Sequence, residues 1–223
     1  MIPKLTYNLA FPNPVHASEE GIVAYGGDLS PSRLMLAYRS GIFPWYSAND
    51  PILWWSPDPR LILELDEFKL SRSLRKKIPQ FEIRFDTAFS EVIHECAIAP
   101  RPGQKGSWIV PEMIEAYEAL HALGYAHSIE AYQNGILVGG LYGVSVGKVF
   151  CGESMFAKVS DASKAALAVW VAQLREWGYD FIDCQVPTEH LKSLGAKEVS
   201  RETFLERLYL ASDQKTVEKQ RKR

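Results

Sequence analysis

Val-Phe-Cys-Gly-Glu-Ser-Met-Phe, residues 149–156, sets one acid, Glu153, among strand-forming apolar residues. A carboxyl group in such a run needs a partner or a task. A helical period follows at 161–177, and then a second strand-like run, Tyr-Asp-Phe-Ile-Asp-Cys-Gln-Val, at 179–186. Strand, helix and strand in this order make a right-handed crossover between parallel strands, so both strands end at one edge of the sheet. Side chains alternate along a strand, which puts Phe181, Asp183 and Gln185 on one face and Ile182, Cys184 and Val186 on the other. Glu153 on the neighbouring strand can join Asp183 and Gln185. In an apolar sheet each unpaired polar group costs about 1–3 kcal/mol, so this trio marks the expected active centre.

Outward from that unit the pattern predicts an α+β protein. Asn134-Gly135 between runs at 128–132 and 136–144 is a hairpin signal, and Val146-Gly147-Lys148 turns the chain into the strand that carries Glu153. Further back lie a strand at 61–65, a basic helical stretch at 71–77 and a strand at 81–86. Phe89, Val92, Ile93 and Cys96 then give one helix a buried face, and Pro111 opens another that Gly124 stops. The loop at 99–107 is flexible by composition. Thr188 begins a helix ended by Gly195, and a last helix spans about 201–210. An antiparallel meander joined to a parallel crossover unit is the arrangement of N-acyltransferase sheets.

Before residue 60 no period is sustained. Residues 1–29 read as loop and short extended pieces, and Ser30, Pro31 and Gly41 bracket a short helix through Leu34, Ala37 and Tyr38. Five aromatics, Phe43, Trp45, Tyr46, Trp54 and Trp55, fall among prolines expected to prevent regular helix or central strand. They read either as a small hydrophobic core or as a stacking platform for a flat ligand such as a base, and composition alone favours the core. The expected organisation is a small N-terminal α/β domain at 1–60, an acyltransferase-like catalytic domain at 61–210, and a basic, disordered tail at 211–223.

Composition sets bounds on function. Among 223 residues, 47% are hydrophobic and 23% charged, with a net charge of −2, so a polyanion partner requires a local basic patch. Lys69, Arg72, Arg75, Lys76 and Lys77 form such a patch, read first as a solvated helix face and second as a phosphate-binding one. The three widely spaced cysteines, Cys96, Cys151 and Cys184, read as buried free thiols in a reducing cytoplasm. Neither a secretory leader nor a long apolar span is expected. The histidines, at 16, 94, 121, 127 and 190, form no close helical pair, which argues against a metal centre. Gly143-Val-Ser145-Val-Gly147 matches a hydrolase nucleophile pattern but falls at a strand-to-strand turn rather than at a strand-to-helix elbow. The start of the crossover helix, Ala157 to Lys164, has no glycine with which to cradle a coenzyme A pyrophosphate, so another acyl donor is expected. A non-catalytic RNA-binding module is the alternative from another class.

GGDLSP (26–31), GIFPWY (41–46), WWSPDPR (54–60), CGESMF (151–156) and FIDCQ (181–185) together resemble the bacterial leucyl/phenylalanyl-tRNA–protein transferases, from about residue 10 to residue 205. The resemblance implies transfer of leucine or phenylalanine from Leu-tRNA or Phe-tRNA to the N-terminal Arg or Lys of a protein, which marks that protein for degradation. It implies a GNAT-like C-terminal domain, no metal or coenzyme, and a monomeric protein of the cytoplasm. By the same resemblance Glu153, Asp183 and Gln185 lie near the reacting ester. Leu141, Phe150, Met155, Leu167, Trp170, Leu174 and Ile182 would surround the aminoacyl side chain. Trp45 would stack on the terminal adenosine, and Arg72, Arg75 and Lys76 would contact the tRNA. Leu141 and Trp170 stand where relatives carry Met and Phe, so the preference between leucine and phenylalanine stays open.

Overall fold

The computed structural model describes residues 1–100 and 107–212. Most of the expected flexible loop and of the basic tail lies outside that range. Numbered in chain order, the first elements are β1 (Lys4–Leu5), β2 (Ile22–Gly26), α1 (Pro31–Arg39), β3 (Phe43–Pro44) and β4 (Leu53–Trp55). Then come β5 (Arg60–Glu64), α2 (Arg72–Lys77), β6 (Glu82–Phe85), α3 (Phe89–Ile98), α4 (Pro111–Ala122) and β7 (Ala126–Gln133). The remainder is β8 (Ile136–Val146), β9 (Val149–Ala157), α5 (Ala162–Glu176), β10 (Phe181–Gln185), α6 (Glu189–Ser193), β11 (Lys197–Val199) and α7 (Arg201–Ser212).

Two sheets result. The first has the order β1-β2-β4-β3, and the second, seven-stranded, has the order β11-β5-β10-β9-β8-β7-β6. In the second, β9 and β10 are parallel, joined by the crossover helix α5, while the other neighbours run antiparallel. Local chemistry explains the element ends. The Ser30, Ser71 and Thr188 hydroxyls accept the backbone N–H groups of Arg33, Leu74 and Leu191 and so cap α1, α2 and α6. Asn134 and Gly135 both take positive φ, as the tight turn between β7 and β8 demands.

Two expectations need correction. Leu53–Trp55 is a central strand, between β2 and β3; Pro51 and Pro57 flank it without entering, and Pro44 lies on the edge strand β3, where a missing N–H costs no ladder bond. The edge strand β11 pairs with β5 and has no counterpart in the sequence reading, because three residues establish no period.

The apolar face of α5, with Leu167, Trp170, Val171 and Leu174 buried, covers one side of the large sheet. Helices α1, α3, α4 and α7 contribute to the core on the other side, and that core continues into the small sheet through Trp54 and Val23. Tyr38 of α1 is therefore packed with Tyr117 of α4 and Tyr142 of β8, beneath the strand that carries Glu153.

Candidate active site

The parallel ladder between β9 and β10 ends at the pair Asp183 and Cys151, although β9 runs on to Ala157. Two bulges lie at this point. Opposite Tyr142 and Gly143 of β8, strand β9 carries Ser154 and Gly152, which leaves Glu153 as the extra residue. Opposite Ile62 and Leu61 of β5, strand β10 carries Asp183 and Gln185, which leaves Cys184 as the extra residue. A bulge resets side-chain alternation and re-aims the residues after it. Gln185 adopts φ 63° and lines the cavity together with Ile182 and Cys184, whereas Asp183 does not line it. Gln185 thus reaches the cavity wall, whereas Asp183, two residues before it, is held away from the cavity by Arg60.

The cavity beside the parted strands has a volume of about 580 Å³. Leu141, Phe150, Met155, Leu167 and Ile182 line it, with Glu153, Gln185, Ser154, Thr188 and His190 among the polar groups in its wall. Trp170 and Leu174 do not line it. The Trp170 ring packs edge-on behind Phe150, with centroids 5.1 Å apart, and Leu174 is fully buried in the core beneath α5. Phe43, Pro44 and Trp45 close the cavity from the small sheet.

Glu153 is the hub. Its Oε1 accepts the Tyr38 hydroxyl at 2.7 Å and the Gln185 side-chain amide at 2.7 Å, and its Oε2 accepts the Tyr117 hydroxyl at 3.1 Å. The two tyrosine hydroxyls also bond to each other. The bond from Gln185 to Glu153 bridges the parted strands. Burial pushes the Glu153 carboxyl up to about 7, against the lowering effect of its three donors and with a further push from Asp183. Burial and then the charge of Glu153 hold both tyrosines well above the usual phenol range. Burial likewise pushes the Cys151 and Cys184 thiols up, which leaves neither as a nucleophile at neutral pH.

Asp183 has a different partner. Arg60 Nε and Nη2 donate to its two oxygens at 2.8 and 2.7 Å, and both residues are 1% exposed. The same guanidinium donates to the Gly41 carbonyl at 3.2 Å and lies over the rings of Phe204, at 4.3 Å, and Phe43, at 4.8 Å. Asp183 Oδ1 also accepts the backbone N–H of Gln185 at 2.9 Å. The ion pair therefore holds the left-handed backbone that delivers the Gln185 amide. Sequence reasoning missed Arg60, Tyr38 and Tyr117 as site residues. Arg60 closes the WWSPDPR motif, but its acid partner is 123 residues away, and Tyr38 and Tyr117 fall inside expected helices, where nothing in the sequence sets them apart from core.

Trp45 is 37% exposed at the cavity, its ring 5.6 Å from that of Trp55, while Phe43, Tyr46 and Trp54 are buried. The aromatic cluster thus divides into a buried core of Phe43, Tyr46 and Trp54, the half-buried Trp55, and the exposed ring of Trp45. Arg72, Arg75 and Lys76 are exposed on α2 with no carboxylate partner among the described residues, whereas Lys77 pairs with Asp161 at 2.5 Å. Ser145 lies inside β8 with its hydroxyl accepting that of Tyr179 at 3.2 Å, not on a nucleophile elbow.

A meander that feeds a parallel strand pair, parted around an acid and an amide, is the arrangement that the sequence led one to expect of an N-acyltransferase sheet. Leucyl/phenylalanyl-tRNA protein transferase is the family whose model matches residues 62–209, and the model of that family's N-terminal domain matches residues 27–58. The chain is 65% identical over 210 residues to the leucyl/phenylalanyl-tRNA–protein transferase of Sulfurimonas denitrificans, covering 94% of this chain and 92% of that one. It is 54% identical to the protein of the same name from Myxococcus xanthus, covering 92% and 89%. Among solved structures, a ribosomal-protein-alanine N-acetyltransferase from Brucella melitensis matches at 14% identity and TM-score 0.36, covering 61% of this chain and 95% of that one, a likeness too slight to add to the argument. The chain belongs to the leucyl/phenylalanyl-tRNA–protein transferase family.

Proposed function

We propose that the chain moves leucine or phenylalanine from aminoacyl-tRNA to the N-terminal arginine or lysine of acceptor proteins and so marks them for degradation. The observation that carries the reading is the apolar cavity whose wall holds a bridged acid and amide, Glu153 and Gln185, where β9 and β10 part. In this reading Leu141, Phe150, Met155, Leu167 and Ile182 hold the aminoacyl side chain, selecting by shape, with Trp170 and Leu174 backing that wall. One methylene in such a pocket is worth about 1–3 kcal/mol. Trp45 stacks on the terminal adenosine, and Arg72, Arg75 and Lys76 meet phosphates of the tRNA acceptor stem.

The reaction is aminolysis of an ester. The neutral α-amine of the acceptor attacks the aminoacyl carbonyl, the C–N bond forms, the C–O bond breaks, and the terminal ribose leaves as an alcohol. The ester is already activated, so orientation supplies much of the rate. Gln185 orients the amine. Asp183, anchored by Arg60, fixes the backbone of Gln185 and supports it electrostatically. Three buried, free cysteines fit a reducing cytoplasm, and among the described residues no helix is long and apolar enough to cross a membrane. The protein acts as a monomer in this reading. The test is to mix purified protein with Leu-tRNA and a peptide that begins with Arg. A gain in peptide mass equal to one leucyl residue is expected, with none from Val-tRNA or with a peptide that begins with Asp; absence of the gain would overturn the reading.

A further inference from the structure

Four oxygen atoms are joined by three contacts at the base of the site. Tyr38 Oη meets Glu153 Oε1, Tyr117 Oη meets Glu153 Oε2, and the two Oη atoms meet each other. Each of these three contacts needs a proton between its oxygens to be attractive. The two phenols supply two, because burial holds both well above the usual range. The third can come only from the carboxyl group. With Glu153 protonated, Oε2–H donates to Tyr117, Tyr117 to Tyr38, and Tyr38 to Oε1, which closes the ring. With Glu153 ionised, two protons serve three contacts and the ring opens at one of them. In either state Oε1 keeps the Gln185 amide as donor, so the carboxyl stays at the cavity wall while its protonation changes.

We infer that Glu153 is the group that carries the proton in the transfer, with Tyr38 and Tyr117 as positioning residues that set its two states. The inference rests on the aminolysis reading and names the proton acceptor that reading leaves open. As the C–N bond forms, an N–H proton of the attacking amine passes to the ionised carboxyl and the ring closes. As the C–O bond breaks, the carboxyl returns that proton to the departing ribose oxygen, and the ring opens again. No proton is gained or lost overall, and no co-reactant is required. An acid–base group works best when its own affinity for protons lies close to that of its partner. Burial places Glu153 at about 7, close to the roughly 7.7–8.0 of a free α-amine. Asp183 is not the acceptor: both its oxygens are taken by Arg60, and it does not line the cavity. The charged and titratable groups around Glu153 are Tyr38 on α1, Tyr117 on α4 with Tyr142 of β8 beyond it, Cys151 on its own strand, and Asp183 on β10 backed by Arg60 on β5.

Two measurements test this, one independent of activity. With 13C-carboxyl-labelled glutamate in the full chain, the resonance absent from Glu153→Gln should titrate between about pH 6 and 8. Titration in the ordinary range near pH 4 would overturn the inference, whether or not the protein transfers leucine. In single-turnover transfer from Leu-tRNA to the Arg peptide, Glu153→Gln should lower the rate by about 100-fold or more and change the half-saturating Leu-tRNA concentration by less than about threefold. Tyr38→Phe and Tyr117→Phe should each move the acid limb of the pH–rate profile upward and keep the high-pH rate, because each removes a donor to the charged form and bonds to charged acceptors are the stronger ones. Transfer by Glu153→Gln at near the parent rate, or an acid limb that stays put in both phenylalanine variants, would remove Glu153 from this role. Failure of the unsubstituted protein to transfer leucine would instead count against the aminolysis reading.

Discussion

Arg60 and Asp183 are two opposite charges taken wholly out of water, and at the scale of single residues their value lies in each other. Breaking a buried pair by removing one partner costs about 3–5 kcal/mol, because the other charge is stranded, whereas replacing both by apolar groups is often neutral. Arg60→Met should therefore unfold at markedly lower urea, and Arg60→Met combined with Asp183→Leu should recover most of that loss. Transfer activity should not recover with it, since the Gln185 backbone would lack the carboxylate that holds it at φ 63°. Full activity in the stable double variant would count against this positioning role. The same residues mark the limit of what sequence can say about the site. Glu153, Asp183 and Gln185 announce themselves as polar groups in apolar strands. Their partners do not: an arginine at a strand start and two tyrosines on helix faces look like a surface residue and core until the chain folds back over them.

At the scale of elements, the crossover from β9 through α5 to β10 was legible because a period near 3.6 between two strand-like runs admits few arrangements. The bulges were not. A bulge is a mismatch between two strands, and each strand alone keeps an unremarkable pattern, so the way Gln185 is aimed could not be read from β10 by itself. Turns show the opposite case, with local chemistry sufficient. Gly147, between β8 and β9, has φ 55°, and a Cβ there would come within 2.3 Å of the Ala211 carbonyl oxygen at the end of α7. Gly147→Ala is expected to destabilise by about 1–3 kcal/mol through strained φ and this clash, lowering the melting temperature by several degrees. Gly135→Ala, with a similar φ but nothing within 4 Å of the added carbon, should cost less, and equal losses in the two variants would show that the contact with α7 is immaterial.

At the scale of the whole molecule, charge is unevenly spread. The last nine residues carry five cations against Glu218, a balance of +4, so residues 1–214 sum to −6. A polyanion approaching this acidic body requires a local foothold, and the exposed face of α2 offers one. Each phosphate neutralised contributes roughly 0.7–0.9 to the slope of log affinity against log salt. Replacing Arg72, Arg75 and Lys76 together by Gln should lower that slope for tRNA by about 2–3 and leave transfer from a leucyl ester of adenosine alone unchanged. An unaltered slope would place the contact elsewhere.

The first sixty residues supply one side of the chamber, through Phe43, Pro44 and Trp45, and one of the hydroxyls that grip the acid, through Tyr38. Without them the larger sheet would present an open trough. In the aminolysis proposed above, bulk water would spoil the activated ester in such a trough, so the short N-terminal portion would be what turns a sheet with a greasy recess into a vessel in which an amine outcompetes hydrolysis.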